Sequence, residues 1–318
     1  MNIPYITYSQ FNFTIEFLEY AKLPPYKGSM FRGAFGWAFR KAVCVTKEKS
    51  CEGCDLHQMC AYFLVFETEI PKNNLWFLKG VKKLSHPFTL HPPLEQRREY
   101  NKGDILNVGL TLYGNFIPLL PHFIKTFAAM GNDGIGVDRR KYKLIKVTNS
   151  IDSDHSLILF DNTSSPIKKN FIIKSIDMTS DENNVSGITL EFITPARFQK
   201  AGKVLTHASS INFELIYNAL LRRYFTISRL YCNGNDDDYP SPIDVSGINI
   251  KSNNLYFHEM ERYSSRQNKK VELGGFMGSI SFSGDLAPFI SLLKAGEKIS
   301  IGKNTVFGLG KYKMEINQ

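Results

Sequence analysis

The 318-residue sequence has no apolar run long enough to span a bilayer, so an integral helical membrane protein is excluded. Its opening, MNIPYITYSQFNF, lacks a basic segment followed by an apolar one, and no secretory signal is expected. Acid is in short supply. Thirty Asp and Glu stand against 39 Lys and Arg, a net charge of +9. That excess suits a nucleic acid or an anionic surface without saying which. Apolar residues are not lacking, and at 43% they exclude a disordered chain. Cysteine is scarce outside one place: of five, four fall between positions 44 and 60. The expectation is a soluble cytoplasmic protein with two domains of ordinary size.

The most informative stretch lies near the end, DLAPFISLLKAGEKISIGKNTVFGLGKYKM (285–314). Leu286, Phe289, Ile290 and Leu293 recur at helical spacing, with Asp285 as expected N-cap and Gly296 as the expected residue past the C-terminus. Gly302, Gly308 and Gly310 follow, with Lys303, Lys311 and Lys313 beside them. Glycine permits sharp turns and close approach of a ligand, and lysines on such a loop suit a polyanion. Residues 119–145 carry a similar unit: Phe123, Ile124, Phe127 and Ala128 form a helical face that Gly131 ends. Gly134-Ile135-Gly136 parallels Gly308-Leu309-Gly310, and Lys141-Tyr142-Lys143 parallels Lys311-Tyr312-Lys313. Two such units half a chain apart point to a duplication.

The surrounding order repeats as well. Phe11, Phe13, Ile15 and Phe17 alternate as a half-buried strand, and residues 28–43 read as a helix with Phe31, Phe35, Ala38 and Ala42 on one stripe. Its glycines point to close packing or to close approach of a ligand, at about 1 kcal/mol each against alanine. Residues 85–99 read as a proline-rich loop, Val108, Leu110 and Leu112 as a strand, and 149–170 as polar, turn-rich sequence that includes a linker. Strand SGITLEFITP, ended by Pro195, opens the second half. Then come a helix capped by Asn212, an acidic loop (233–242), a basic stretch (261–270) and a strand at 279–283. Each half runs strand, helix, strands, helix, glycine loop, strand, which is the βαββαβ order. The expected fold is α+β, with two tandem ferredoxin-like domains at 1–150 and 170–318.

Cys44, Cys51, Cys54 and Cys60 lie within seventeen residues, Cys51 and Cys54 as a CxxC. In a cytoplasmic protein this spacing favours a metal over disulfides, and four thiolates suit a closed, structural zinc site. An iron–sulfur cluster uses the same ligands and stays open, as do free or redox-paired thiols. His57 is a further ligand candidate.

Four passages resemble a known family: RGAFGWAFRKAVCV (32–45) with the cysteine cluster, GNDGIGVDRRKYKL (131–144), ERYSSRQNKKVELGGFMGSISFSG (261–284) and AGEKISIGKNTVFGLGKY (295–312). The chain resembles the CRISPR-associated repeat RNA endoribonucleases, the sixth Cas family of the repeat-associated mysterious protein (RAMP) superfamily. The terminal passage is similar to the family's glycine-rich loop, here 296–310, and residues 44–60 form an insertion in the first domain. The resemblance implies cleavage of CRISPR repeat RNA without a catalytic metal. The 2′-hydroxyl attacks the adjacent phosphate and leaves a 2′,3′-cyclic phosphate, and the crRNA product stays bound.

That chemistry needs a base, a cation for the phosphorane and an acid for the leaving oxygen. Many relatives use a histidine on or near the first helix, with tyrosine or lysine nearby, but residues 28–43 contain no histidine. His207, between a strand and a helix of the second half, occupies the equivalent place there. His207, Tyr26 and Lys41 are therefore the catalytic candidates. Arg32, Arg40, Arg139, Arg262, Arg266, Lys269, Lys270, Lys303 and Lys311, with Gly302, Gly308 and Gly310, are the RNA-binding candidates, and Tyr263 is placed to stack a base. A non-catalytic RNA-binding RAMP subunit of a CRISPR effector complex, in contact with other effector subunits, is the alternative. A metal-knuckle interaction protein without RNA activity is a third reading.

Overall fold

The computed structural model describes residues 5–48, 50–70, 78, 84–150, 155–162, 167–176, 178, 184–234, 243–264 and 269–317. Arg266 and most of the acidic loop, 235–242, lie outside them. The chain divides into two compact units, Thr7–Asn74 with Gly80–Lys174, and Ser175–Gln318 with Met1–Ile6 and Leu75–Lys79. Among the described residues no helix is long and apolar enough to cross a membrane.

The N-terminal unit is built on strand β1 (Ile6–Phe17), whose Phe11, Phe13, Ile15 and Phe17 are all buried. Helix α1 (Gly28–Val43) is followed by the short α2 (Ala61–Phe66), β2 (Phe88–His91), β3 (Ile105–Tyr113), α3 (Leu120–Asp133), β4 (Tyr142–Ser150) and β5 (Ser156–Asp161). The strands lie in the order β2-β3-β1-β4-β5, and every neighbouring pair is antiparallel. With α1 and α3 as the two crossovers, this is the ferredoxin-like arrangement. Two expectations change here. The proline-rich 85–99 contains β2, because Phe88 and Leu90 are buried between flanking prolines and pair with β3. The polar stretch 149–170 contains β5, an edge strand of the same sheet.

Phenylalanine fills this core. The Phe35 ring lies 5.0 to 5.9 Å from the rings of Phe39, Phe66, Phe88, Phe123 and Phe127. Phe39, and not the exposed Ala42, completes the buried stripe of α1.

The C-terminal unit repeats the plan with β6 (Gly187–Ala196), α4 (Phe213–Tyr231), β7 (Asn249–Asn253), β8 (Tyr256–His258), β9 (Glu261–Ser264), β10 (Lys269–Glu272), β11 (Gly275–Ser283), α5 (Ile290–Ile299) and β12 (Tyr312–Asn317). Its sheet order is β7-β11-β6-β12, all antiparallel, with β8 also on β11. The strand around Pro195 runs one residue beyond it, since the Pro195 carbonyl accepts from Gly310 N at 3.0 Å. Asn212 caps α4 by accepting from Leu215 N at 2.9 Å. The helix before the terminal loop starts later than expected. A 3₁₀ turn, Ala287–Phe289, precedes α5, and Asp285 makes no cap to it.

Gly131 and Gly296 lie inside α3 and α5 and not beyond their ends. Each makes room for the tyrosine that opens the following strand, β4 or β12. A Cβ on Gly131 would sit 2.3 Å from the Tyr142 carbonyl oxygen, and one on Gly296 would sit 2.0 Å from the Tyr312 hydroxyl. The Tyr142 hydroxyl donates to the Phe127 carbonyl at 2.7 Å, and the Tyr312 hydroxyl to the Leu293 carbonyl at 2.5 Å. Burial pushes both phenols well above their ordinary pKa, with Glu297 adding to the effect on Tyr312, so both remain donors. Gly131→Ala should therefore lower stability by about 1–3 kcal/mol in urea unfolding, against the gain that helix propensity alone predicts.

Candidate nucleic-acid interface

The terminal loop follows α5 and is shaped by backbone more than by side chains. Ser300, past the end of α5, has φ 63° and ψ 170°. Ile301 N then donates to Gly310 O at 2.9 Å, and Lys303 N to Arg197 O at 2.9 Å. Thr194, buried at the end of β6, holds the other side: its hydroxyl donates to Gly308 O at 2.9 Å and accepts from Lys311 N at 2.9 Å. Gly302 and Gly310 have φ of 80° and 74°, and a Cβ on Gly310 would lie 1.8 Å from the Ile301 carbonyl oxygen. Gly308 and Gly310 are buried. These glycines close the loop on itself and on β6.

The N-terminal unit has the same device in a different register from the sequence parallel. Gly134 (φ 80°, ψ 155°) corresponds to Ser300, and Ile135, whose N–H donates to Arg140 O at 2.9 Å, corresponds to Ile301. Gly134-Ile135-Gly136 thus matches Ser300-Ile301-Gly302 and not 308–310. Between Gly136 and Arg140 lie three residues, 137–139, and between Gly302 and Gly310 lie seven, 303–309. The longer loop contains a 3₁₀ turn, Thr305–Phe307.

Cations crowd this longer loop. Burial and the neighbouring Arg222 hold the Lys303 ammonium below its ordinary pKa. Burial, Lys313 and Lys298 do the same for Lys311. The Arg262 guanidinium, on β9, lies 5.1 Å from the centre of the Phe307 ring. Among the described residues Lys303, Lys311 and Arg262 form no ion pair. Arg197 is structural: it is 7% exposed, donates to Gly274 O at 2.6 Å and faces Glu272 at 3.7 Å. On the hairpin of β9 and β10, Lys270 pairs with Glu261 at 3.2 Å in full solvent, Lys269 is exposed, and Tyr263 projects with 61% exposure.

The candidates on α1 are spread over its faces. Arg32 contacts His86 Nε2 at 3.0 Å and covers the Phe66 ring, so it is tied to the core edge. Arg40 donates to the Glu48 carbonyl and lies over Tyr62, against the cysteine loop. Lys41 is exposed, 3.1 Å from Asp133 and 5.0 Å from the centre of the Trp37 ring; Arg139 approaches that ring at 5.8 Å. Burial raises the Tyr26 phenol well above its ordinary pKa, so it keeps its proton and suits a donor role. His207 belongs to the C-terminal unit, is exposed and precedes the 3₁₀ turn Ala208–Ser210.

Cys44, Cys51, Cys54 and Cys60 are free, half-buried thiols. The Thr46 hydroxyl lies 3.8 Å from Cys44 Sγ and 4.0 Å from Cys54 Sγ. Among the described residues no three His, Cys, Asp or Glu side chains converge as a metal-holding group. Sequence reasoning passed over Arg222, Phe307 and Trp37. Arg222 is the exposed one of two arginines in the apolar run LLRRYF, Arg223 being buried against the Ile299 carbonyl, and Trp37 follows Gly33 by one helical turn.

A model described as an N-terminal domain, AF_1859_N, matches residues 6–171. The model of the CRISPR-associated endoribonuclease Cas6 matches residues 190–312, which include the cationic loop. The two matches together support a protein of the Cas6/RAMP kind, with the Cas6 model itself spanning less than half of the chain. An uncharacterized protein of Archaeoglobus fulgidus is 24% identical over 307 residues, 92% of each chain. A Cas6 product complex superposes with a TM-score of 0.53 at 16% identity, covering 97% of this chain and 100% of that one. A partial Cas6-RT-Cas1–Cas2 complex gives 0.54 at 13% identity over 100% of this chain, which spans 47% of that longer one. At these identities the structural likeness is one of fold.

Lys303→Met should leave the fold at least as stable, because it removes a charge beside Arg222. It should weaken binding of a single-stranded polynucleotide and flatten the plot of log affinity against log salt by about 0.7. Because the Lys303 pKa is lowered, the contribution of its charge is full at low pH and is lost as pH rises through that lowered value, earlier than for an ordinary lysine. Filter binding across salt and pH measures both effects.

Proposed function

We propose that this protein binds CRISPR repeat RNA and cleaves it as a metal-independent endoribonuclease. The observation that carries the reading is the set of cations on and beside the glycine loop (Lys303 near Arg222, Lys311 near Lys313 and Lys298, Arg262 over the Phe307 ring), without carboxylate partners among the described ion pairs, inside the segment matching Cas6. Like charges held close favour a polyanion, which relieves their repulsion on binding. In the reaction a ribose 2′-oxygen forms a bond to the adjacent phosphorus as the bond from phosphorus to the 5′-oxygen breaks. The 2′-hydroxyl proton goes to a base, and the departing 5′-oxygen takes one from an acid. The proposed catalytic candidates are His207 in the C-terminal unit and Tyr26 and Lys41 in the N-terminal unit, each a side chain whose chemistry suits a base, a proton donor or a cation respectively. The domain limits 1–150 and 170–318, and retention of the crRNA product, belong to the same reading.

The test is incubation with labelled repeat RNA from the same genome in EDTA. The expected result is one cut, a 2′,3′-cyclic phosphate end, and complete block by one 2′-deoxy substitution. His207→Ala should lower the single-turnover rate by about 10²-fold or more. Tight binding without a cut would establish instead a non-catalytic RNA-binding RAMP subunit, a reading favoured by the absence of histidine from α1.

The proposal for residues 44–60 is a structural zinc bound by Cys44, Cys51, Cys54 and Cys60. What supports it is the chemistry of the donor set, four thiols within one short segment, which do not converge on a common point among the described residues. Metal analysis of the purified protein should find about one zinc per chain, and Cys51→Ser with Cys54→Ser should lose it and lower the melting temperature. Iron with visible absorbance would indicate an iron–sulfur cluster. Metal-free protein of unchanged stability would remove the assignment.

A further inference from the structure

The outer face of α1 carries an exposed aromatic side chain that the cleavage reading does not use, one turn before the Lys41 assigned there to the phosphorane. Trp37 is 52% exposed, although a tryptophan side chain is mostly apolar and is usually well buried. Lys41 Nζ lies 5.0 Å and the Arg139 guanidinium 5.8 Å from its ring centre. Arg139 is displayed by a tightly closed loop. Its φ is 49°, Ile135 and Arg140 bridge behind it, and a Cβ on Gly134 would lie 2.0 Å from its carbonyl oxygen.

Gly33 supplies an independent observation. It stands one turn before Trp37 on the same face, and is exposed. A Cβ there would meet nothing within 4 Å. Packing therefore does not require this glycine, whereas Gly36 has Arg32 and Phe66 against it. A glycine in a helix interior is unfavourable, so an unneeded one marks a place where something else comes close. Gly33, Trp37 and Lys41 together make a flat, side-chain-free shelf, then an aromatic plane, then a cation.

The sheets give no competing platform on their central strands. The outward side chains of β1 include Gln10, Asn12, Thr14 and Glu16, and those of β6 and β11 include Thr189, Glu191, Ser279 and Ser281. The central-strand aromatics by which many RNA-recognition sheets stack bases are missing from these faces.

We propose that the α1 face formed by Gly33, Trp37 and Lys41, with Arg139, is a stacking site for one unpaired base of a bound RNA strand. The indole takes the base, Gly33 leaves room for the sugar–phosphate backbone, and Lys41 and Arg139 meet the flanking phosphates. This rests on the RNA reading above and adds a site to it. An acidic peptide would use the cations but would not need the indole or the bare shelf.

The test uses the full chain with Trp76, the other tryptophan, replaced by Phe, so that all indole emission comes from Trp37. Titration with single-stranded repeat RNA should quench that emission. Trp37→Ala should weaken binding about 5- to 100-fold without changing the salt slope, and Trp37→Phe should recover most of the loss. Arg139→Ala should flatten the slope instead. Gly33→Ala should raise the melting temperature yet weaken binding, a combination that a purely structural glycine would not give. RNA binding with unquenched emission and unchanged affinity in Trp37→Ala would overturn the stacking site and leave the RNA reading intact. Quenching by polyglutamate as strong as by RNA would overturn the assignment to RNA. No RNA binding under any condition would end both.

Discussion

In each unit one buried tyrosine hydroxyl fixes where a helix meets the strand that follows it, α3 and β4 in one, α5 and β12 in the other. Tyr142 and Tyr312 reach back to helix carbonyls that already accept a backbone hydrogen bond, using the second lone pair. The ring can approach only because the helix carries a glycine beneath it, Gly131 or Gly296. A helix glycine is unfavourable by about 1 kcal/mol. Here the buried ring and its hydrogen bond offset it. The position of the loop that links helix to strand follows from this contact, and so does everything mounted on that loop.

The C-terminal loop shows what such a frame allows. Lys303 beside Arg222, and Lys311 between Lys298 and Lys313, are arrangements a flexible loop would relax away. They persist because both ends of the loop are fixed by backbone hydrogen bonds to Arg197, Thr194 and Pro195. On the proposed reading, a bound polyanion would relieve this like-charge proximity.

Much of this was legible in the sequence. Alternating Phe11, Phe13, Ile15 and Phe17, the α1 spacing and the Asn212 cap all rest on local chemistry, and local chemistry decided them. The failures came where distant contacts decide. Phe88–His91 is a strand because β3 pairs with it, and nothing within a run of prolines reveals a partner. The glycine loops were aligned by their repeated Gly-x-Gly, but the structural repeat is set by positive φ after the helix, which serine adopts at 300 as glycine does at 134. Of the site, the cations of the loop were visible as charges. That Gly308 and Gly310 serve the loop's own packing, and that Trp37 is left uncovered, depends on tertiary surroundings.

The two loops hang between equivalent anchors but differ in length, 137–139 against 303–309. The hydrogen bond closing each loop neck is the same, from isoleucine to the residue two before the tyrosine. The neck therefore works as a socket. Residues can be added or removed beyond it without shifting the register of β4 or β12, so the chemistry displayed there can vary while both cores stay unchanged. A protein of this plan can change what the loop displays by exchanging one short segment, with the rest of the sequence under no pressure to follow.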